Sequence, residues 1–164
     1  MLLIAVLTSS IQPIMAFDAI DLENLVRGND CLDCDLQDAD LRGMDLRNRK
    51  LAWSRLSGTD LRGANLSSAN LLGAEIINAN VTDADLSGAV LQGVDLRDTE
   101  LYSVRLMGAD LRWSNLSHLD LDLDLEFIDL TGVLLEGATF KHDIKCATLP
   151  PKGGWGCQAR SAGP

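Results

Sequence analysis

The residues here that could do chemistry are four cysteines, two histidines and many carboxylates. Cys31-Leu32-Asp33-Cys34 stands near one end, and Cys146 and Cys157 flank residues 147–156 near the other. A CxxC pair acts as a redox site when it opens a helix in a βαβ setting that lowers the thiol pKa. Here a strand-like run follows Cys34, and Asp33 opposes thiolate formation. A zinc site needs four converging ligands. His118 and His142 are both remote from Cys31, and His142 with Cys146 makes only half a set. No nucleophile pattern accompanies either histidine, and no glycine-rich loop joins a strand to a helix for phosphate. The expectation is no catalytic, cofactor-binding or metal residue, and no enzyme.

The carboxylates report something else. The chain has 164 residues and a formal charge of -10, which argues against general nucleic-acid binding and against anionic membranes. Aromatics are 4% of the residues while hydrophobics are 46%, so many leucines must be buried with few rings. Leu recurs at 36, 41, 46, 51, 56, 61, 66 and 71, Ile76 and Val81 keep the register, and Leu resumes from 86 to 121, giving 18 consecutive pentads. After Leu121 the register slips by one and runs on through Leu125, Leu130, Leu135 and Phe140, for 22 pentads in all. Asp or Asn precedes 14 of the 22 centres, Gly follows nine of them by two places, and a small residue such as Ala64, Ala69 or Ala84 stands two places before. A period of five fits neither helix nor plain strand. It demands a solenoid whose units bury themselves only against neighbours.

The runs Gly63-Ala64-Asn65-Leu66-Ser67, Ser68-Ala69-Asn70-Leu71 and Asp83-Ala84-Asp85-Leu86-Ser87-Gly88 resemble the pentapeptide-repeat family, with its A(D/N)LXX motif. The resemblance covers about residues 34–142. It implies an all-β solenoid, a right-handed quadrilateral β-helix with four pentads per coil and about 5.5 coils. The centre and the small residue before it then point inward. Residues 18–28 read as a short helix, capped by Asp18, stopped by Gly28 and carrying Ile20, Leu22, Leu25 and Val26 as its apolar side. It is expected to lid the first coil, with 17–33 as capping helix and lead-in and 143–164 as a disulfide-stapled tail.

In a rod of that length the two cysteine pairs stand too far apart to cross-link. Pairing would be local, Cys31 with Cys34 and Cys146 with Cys157. Exported members of the family look similar at both ends, which strengthens that pairing by resemblance. Residues 1–16 carry no charge, open on an apolar run too short to span a membrane and end on Ala16, which predicts a signal peptide cleaved before Phe17.

Irregular places carry what is left. Arg49 falls on an inward position, so either the backbone bulges or the side chain reaches the open end of the bore and finds a partner there. Trp53 and Trp113 fall outward, as rings shielding a coil edge or as binding anchors. Leu72, Ile77 and Tyr102 are outward and apolar as well, and Leu72 and Ile77, on neighbouring faces of one coil, are expected to join into a patch. Asp40, Asp60, Asn80, Glu100 and Asp120 would form a column relieved by Arg42 and Arg62. The slip at Leu121–Leu125 reads as a shortened corner, with Leu123 and Ile128 still inward. The function expected is an exported, non-catalytic structural or protein-interaction module, in a periplasm or, by the resemblance, a thylakoid lumen. It would have a protein partner, no nucleic acid and no membrane insertion after cleavage. The resemblance offers a second reading, a DNA-mimicking binder of DNA gyrase.

Overall fold

The computed structural model describes residues 17–119, 128–146 and 157–158. The expected signal peptide, the core of the register slip and most of the tail lie outside the described residues. Parallel bridges join residues twenty apart: Asp35 to Arg55, Asp40 to Asp60, Asp45 to Asn65, Lys50 to Asn70, and so on to Asp95 with Asn115. Four pentads therefore close one coil. Each pentad puts a single residue into a bridge, so the solenoid is ladder-paired along its length while holding very little extended strand.

The motif follows from where five backbone N–H groups go. In the pentad 64–68, Ala64 N–H closes a turn on Leu61 O at 2.9 Å. Asn65 N–H bonds back to Met44 O of the coil before, and Leu66 and Ser68 donate forward to Asp85 O and Ser87 O. That leaves Ser67 N–H, which has no ladder partner. The Asn65 side chain accepts it at 3.1 Å. The same bond recurs at Asp40, Asp45, Asp60, Asn70, Asn80, Asp85, Asp95, Asp110 and Asn115. Asp or Asn precedes the centre because an otherwise orphaned donor needs a short side-chain acceptor.

The glycines follow from the turn. Leu61–Ala64 is a β-turn with its third residue, Gly63, at φ 66. That left-handed position recurs every fifth residue from Asp33 to Trp113, filled by Gly, Asp, Asn or Ser and twice by Trp, and returns at Gly132, Gly137 and His142. Inward, Leu36, Leu56, Ile76, Leu96, Leu116 and Phe140 stack in one column, all 2% exposed or less. Ala69, Ala84, Ala89 and Ala109 are fully buried and interleave with the large residues. Asn70→Ala is expected to destabilise the rod by about 1 kcal/mol in a chemical melt, by freeing Leu72 N–H.

Helix α1, Ala19–Val26, lies on the first coil. Asp18 caps it, its side chain accepting from Ile20 N–H at 2.7 Å. A glycine stop ends it: Gly28 at φ 87 donates to Leu25 O, and Asn29 N–H to Asn24 O. The first coil has no coil above it, so its upward groups need other partners. Asp18 N–H bonds to Asp35 O, Asp21 carboxylate accepts Asp35 N–H, and Asp30 carboxylate accepts Lys50 N–H. The expected apolar side of the helix is only half right. Leu25 is buried and Leu22 packs on the core, but Ile20 is 68% and Val26 63% exposed. A two-turn helix meets a flat floor along one narrow stripe, which leaves Ile20 on the far side and Val26 at its margin.

The ladder begins at Cys31, which takes a centre position and donates to Lys50 O. At the other end the ladder step changes, while the slip itself lies outside the described residues. Asp110 bridges Leu134, and β1 (Asn115–Leu116) pairs in parallel with β2 (Thr139–Phe140), in both cases 24 residues on. This coil is therefore four residues longer than the rest, 24 against 20. Ile128 does pack on the core. After β2 the chain reverses: β3 (Ile144–Cys146) runs antiparallel to β2, and β4 (Cys157–Gln158) antiparallel to β3. This hairpin covers the lower edge of the sheet.

Candidate docking face and polar ladders

Five Asp-Leu-Arg tripeptides form one device. The arginine, two residues after the aspartate, returns to grip it with two nitrogens: Arg42 on Asp40, Arg47 on Asp45, Arg62 on Asp60, Arg97 on Asp95 and Arg112 on Asp110, with Nη2 contacts of 2.5–2.8 Å. Arg42 also reaches Asp60 at 3.7 Å, so the expected relief of the acidic column is present. Lower in that column Asn80 donates to Glu100. Arg55 bonds Asp35 and Arg105 bonds Asp85 between coils. The repetition of Asp-Leu-Arg was visible in the sequence. Its meaning needed the turn geometry that brings positions two apart onto one face.

The Arg42 side chain, followed by its backbone N–H, holds Asp40 at a pKa of about 2, and Arg47 does the same for Asp45. Asp60 and Asp110 are lowered too, first by their arginine forks. A carboxylate whose pKa falls on folding contributes stability that is present above its unfolded value near 4 and is lost as pH falls through the folded value. The expected result is a flat melting temperature from neutral pH to about 4, with a decline toward about 2, checked by thermal melts across that range.

Trp53 and Trp113 both occupy the left-handed turn position, at φ 64 and φ 59. This is an uncommon place for a bulky side chain. The glycine one coil below explains how the rings fit. A Cβ on Gly73 would lie 2.2 Å from the Trp53 ring, and one on Gly137 would lie 2.3 Å from the Trp113 ring. Each indole thus lies over bare backbone, as the edge-shielding reading expects, yet remains 60% and 56% exposed. Arg112, pinned by Asp110, sits 5.4 Å from the Trp113 ring centre.

The five outward candidates do not form one patch. Trp53, Leu72 and Trp113 share a face, since Trp53 N–H donates to Leu72 O and positions 53, 73, 93 and 113 stack. Ile77 lies on the next face, and Leu72 and Ile77 are both half-buried. Tyr102, 76% exposed, stands in the column of Arg42 and Arg62 on the opposite face. It edges a shallow hollow lined also by Thr99, Glu100, Leu101 and Leu119.

Arg49 reaches the open end of the bore. In the coils below, its position is Ala69, Ala89 and Ala109. In the first coil the side chain runs up beneath the helix stop, where a Cβ on Gly28 would meet its Nη2 at 2.9 Å. Its Nε has no hydrogen-bond partner.

Cys31 and Cys34 are disulfide-bonded with Cα atoms 5.5 Å apart. They are the first and last residues of one pentad turn, so inward-facing neighbours elsewhere packed as Leu and Ala are here joined covalently. Ser54, from the coil below, donates to Cys31 O at 2.7 Å and accepts Cys34 N–H at 3.2 Å. Asp21, Cys31 and Cys34 are the one grouping among the described residues with metal-ligand spacing, and the disulfide occupies its sulfurs. Cys146 is also disulfide-bonded, and its ladder partner is Cys157. No helix among the described residues is long and apolar enough to cross a membrane.

A family model described as pentapeptide repeats matches eight copies over residues 50–83 and 79–117. A crystal structure of a pentapeptide repeat protein from Nostoc Pcc 7120, alr5209, is 31% identical, covering 75% of this chain and 98% of that one, with a TM-score of 0.58. The chain belongs to the pentapeptide-repeat family, and its fold is the right-handed β-helical solenoid of that family. A pentapeptide repeat protein from the Arabidopsis thaliana thylakoid lumen is 27% identical, covering 60% and 66% of the two chains, with a TM-score of 0.31. QnrB1, a plasmid-mediated fluoroquinolone resistance protein, is 19% identical, covering 63% and 56%, with a TM-score of 0.35. Among curated proteins there is no match.

Proposed function

We propose that this protein is an exported, non-catalytic rod of about 5.5 coils that docks a protein partner in a periplasm or thylakoid lumen. The observation that carries the reading is how the recurring polar residues are used. The aspartates and asparagines before the centres hold turn N–H groups, and five of the aspartates are also gripped by arginines. No cluster is left over for proton transfer or nucleophilic attack among the described residues. What stands free is surface, with two exposed tryptophans on it. The Cys31–Cys34 disulfide supports an oxidising compartment. The arginine forks favour docking over mimicry of DNA, since they break up the bare carboxylate rows that mimicry needs.

The test is the intact mass of the protein from fractionated native cells, with free thiols alkylated. A chain starting at Phe17, outside the cytoplasm and unalkylated, is expected, and cross-linking in that fraction should then join it to a protein. A full-length, four-times-alkylated cytoplasmic chain that changes gyrase supercoiling at micromolar concentration would overturn the proposal.

A further inference from the structure

Building on the docking reading, we infer that the tryptophan face binds an extended, uncharged, proline-containing segment of the partner in the polyproline II conformation. The first observation is charge. In a chain of net charge -10, two successive coils on this face present Asn70, Leu72 and Gly73, then Val90, Gln92 and Gly93, none of them ionised. Trp53 bounds this field above and Trp113 below. Both rings lean one coil down, onto Gly73 and Gly137, so they stay three coil rises apart, about 14 Å.

The second observation is size. A field about 14 Å long and one pentad side wide, about 10 Å, covers on the order of 140 Å². A globular partner needs about 800 Å². A narrow chain laid along the rod fits instead.

The third observation selects its conformation. A β-strand would need a row of free backbone groups, and this face has none. The N–H groups of Asn70, Leu71, Leu72, Gly73, Val90, Leu91 and Gly93 are all bonded within the solenoid. The exceptions are Gln92 N–H, in the middle of the field, and Ala52 N–H, beneath the buried Ala52 beside Trp53. Val90 and Lys50 stand where Asp or Asn would accept them, and neither N–H has a partner among the described residues. One outward donor midway between two aromatic platforms suits a polyproline II segment, which keeps its own backbone unpaired and offers carbonyls outward. Its rings pack on indoles, as in other aromatic-lined proline sites. At about 3.1 Å per residue, some five residues bridge the two rings.

The test uses the disulfide-intact protein and a fluorescein-labelled nonamer of repeated Pro-Pro-Leu, followed by anisotropy, with a nonamer of the same length carrying alternating Lys as control. Saturable binding of the first and little of the second is expected. Trp53→Gly and Trp113→Gly should each weaken it about tenfold. Val90→Asn should weaken it severalfold without lowering the melting temperature, because it restores the turn bond and removes the donor. No binding, or binding indifferent to these three changes, overturns the inference. If the double tryptophan variant still cross-links the native partner as well as the parent does, the inference falls while the docking reading stands. If neither protein cross-links a partner, the docking reading falls.

Discussion

Leu86→Ala is expected to destabilise the protein by about 2–5 kcal/mol, read as a lowered denaturation midpoint with an unchanged slope. Leu86 is 2% exposed and lies in a middle coil, between Leu66 above and Leu106 below. Truncation removes its transfer free energy and opens a void in a bore walled by ladder-paired backbone. The coils are fixed by two forward bonds and one backward bond per pentad, so the wall cannot fold inward to fill the gap. That rigidity places the cost toward the upper end of the range. A loss below about 1 kcal/mol would mean that the bore is not filled as described.

Ala69→Arg is expected to have the larger effect and to leave no cooperative unfolding transition at room temperature. The comparison lies within the chain. Arg49 occupies the same corner one coil up, where it escapes along the open end beneath Gly28. Ala69 has a coil above and a coil below, and is 0% exposed. An arginine there must bury its charge with no carboxylate to meet it, a change worth about 3–5 kcal/mol or more before the steric clash is counted. Circular dichroism and a urea melt of the variant check it. A native-like melt would show that the corner can open.

The pentad period made the solenoid, the inward leucines and the alanine corners legible from sequence. Each depends only on position within five residues. The same period hid other things. It gave the frequency of Asp and Asn before the centre without the reason, which is an N–H that only the three-dimensional turn leaves orphaned. It showed Trp53 and Trp113 as outward but did not show Gly73 and Gly137 receiving them, because that match is made twenty or 24 residues away. Leu72 and Ile77 were expected as one patch, and Tyr102 as part of the same surface. The four-sided coil instead separates Tyr102 from Trp53 by half a turn. The slip at Leu121 gave no sign that its coil runs 24 residues from Asp110 to Leu134, because the pentad register records position within five residues and not the number of residues in a turn. The exposed Ile20 and Val26 could not be told from Leu22 and Leu25 by composition, since a helix of eight residues has room for one contact stripe only.

The bonding rule also gives the rod a direction. Each pentad sends two N–H groups toward the C-terminal end and one toward the N-terminal end. The two tips therefore differ in their balance of donors and acceptors. A bared upper tip is matched in full by a bared lower tip. Removing α1 together with the β3–β4 hairpin should thus give no discrete dimer. It should give head-to-tail filaments, each subunit continuing the ladder of the last, because a heterologous contact without rotation to closure grows without limit. On that view the helix and the hairpin are terminators of polymerisation, and their loss would be seen first in light scattering.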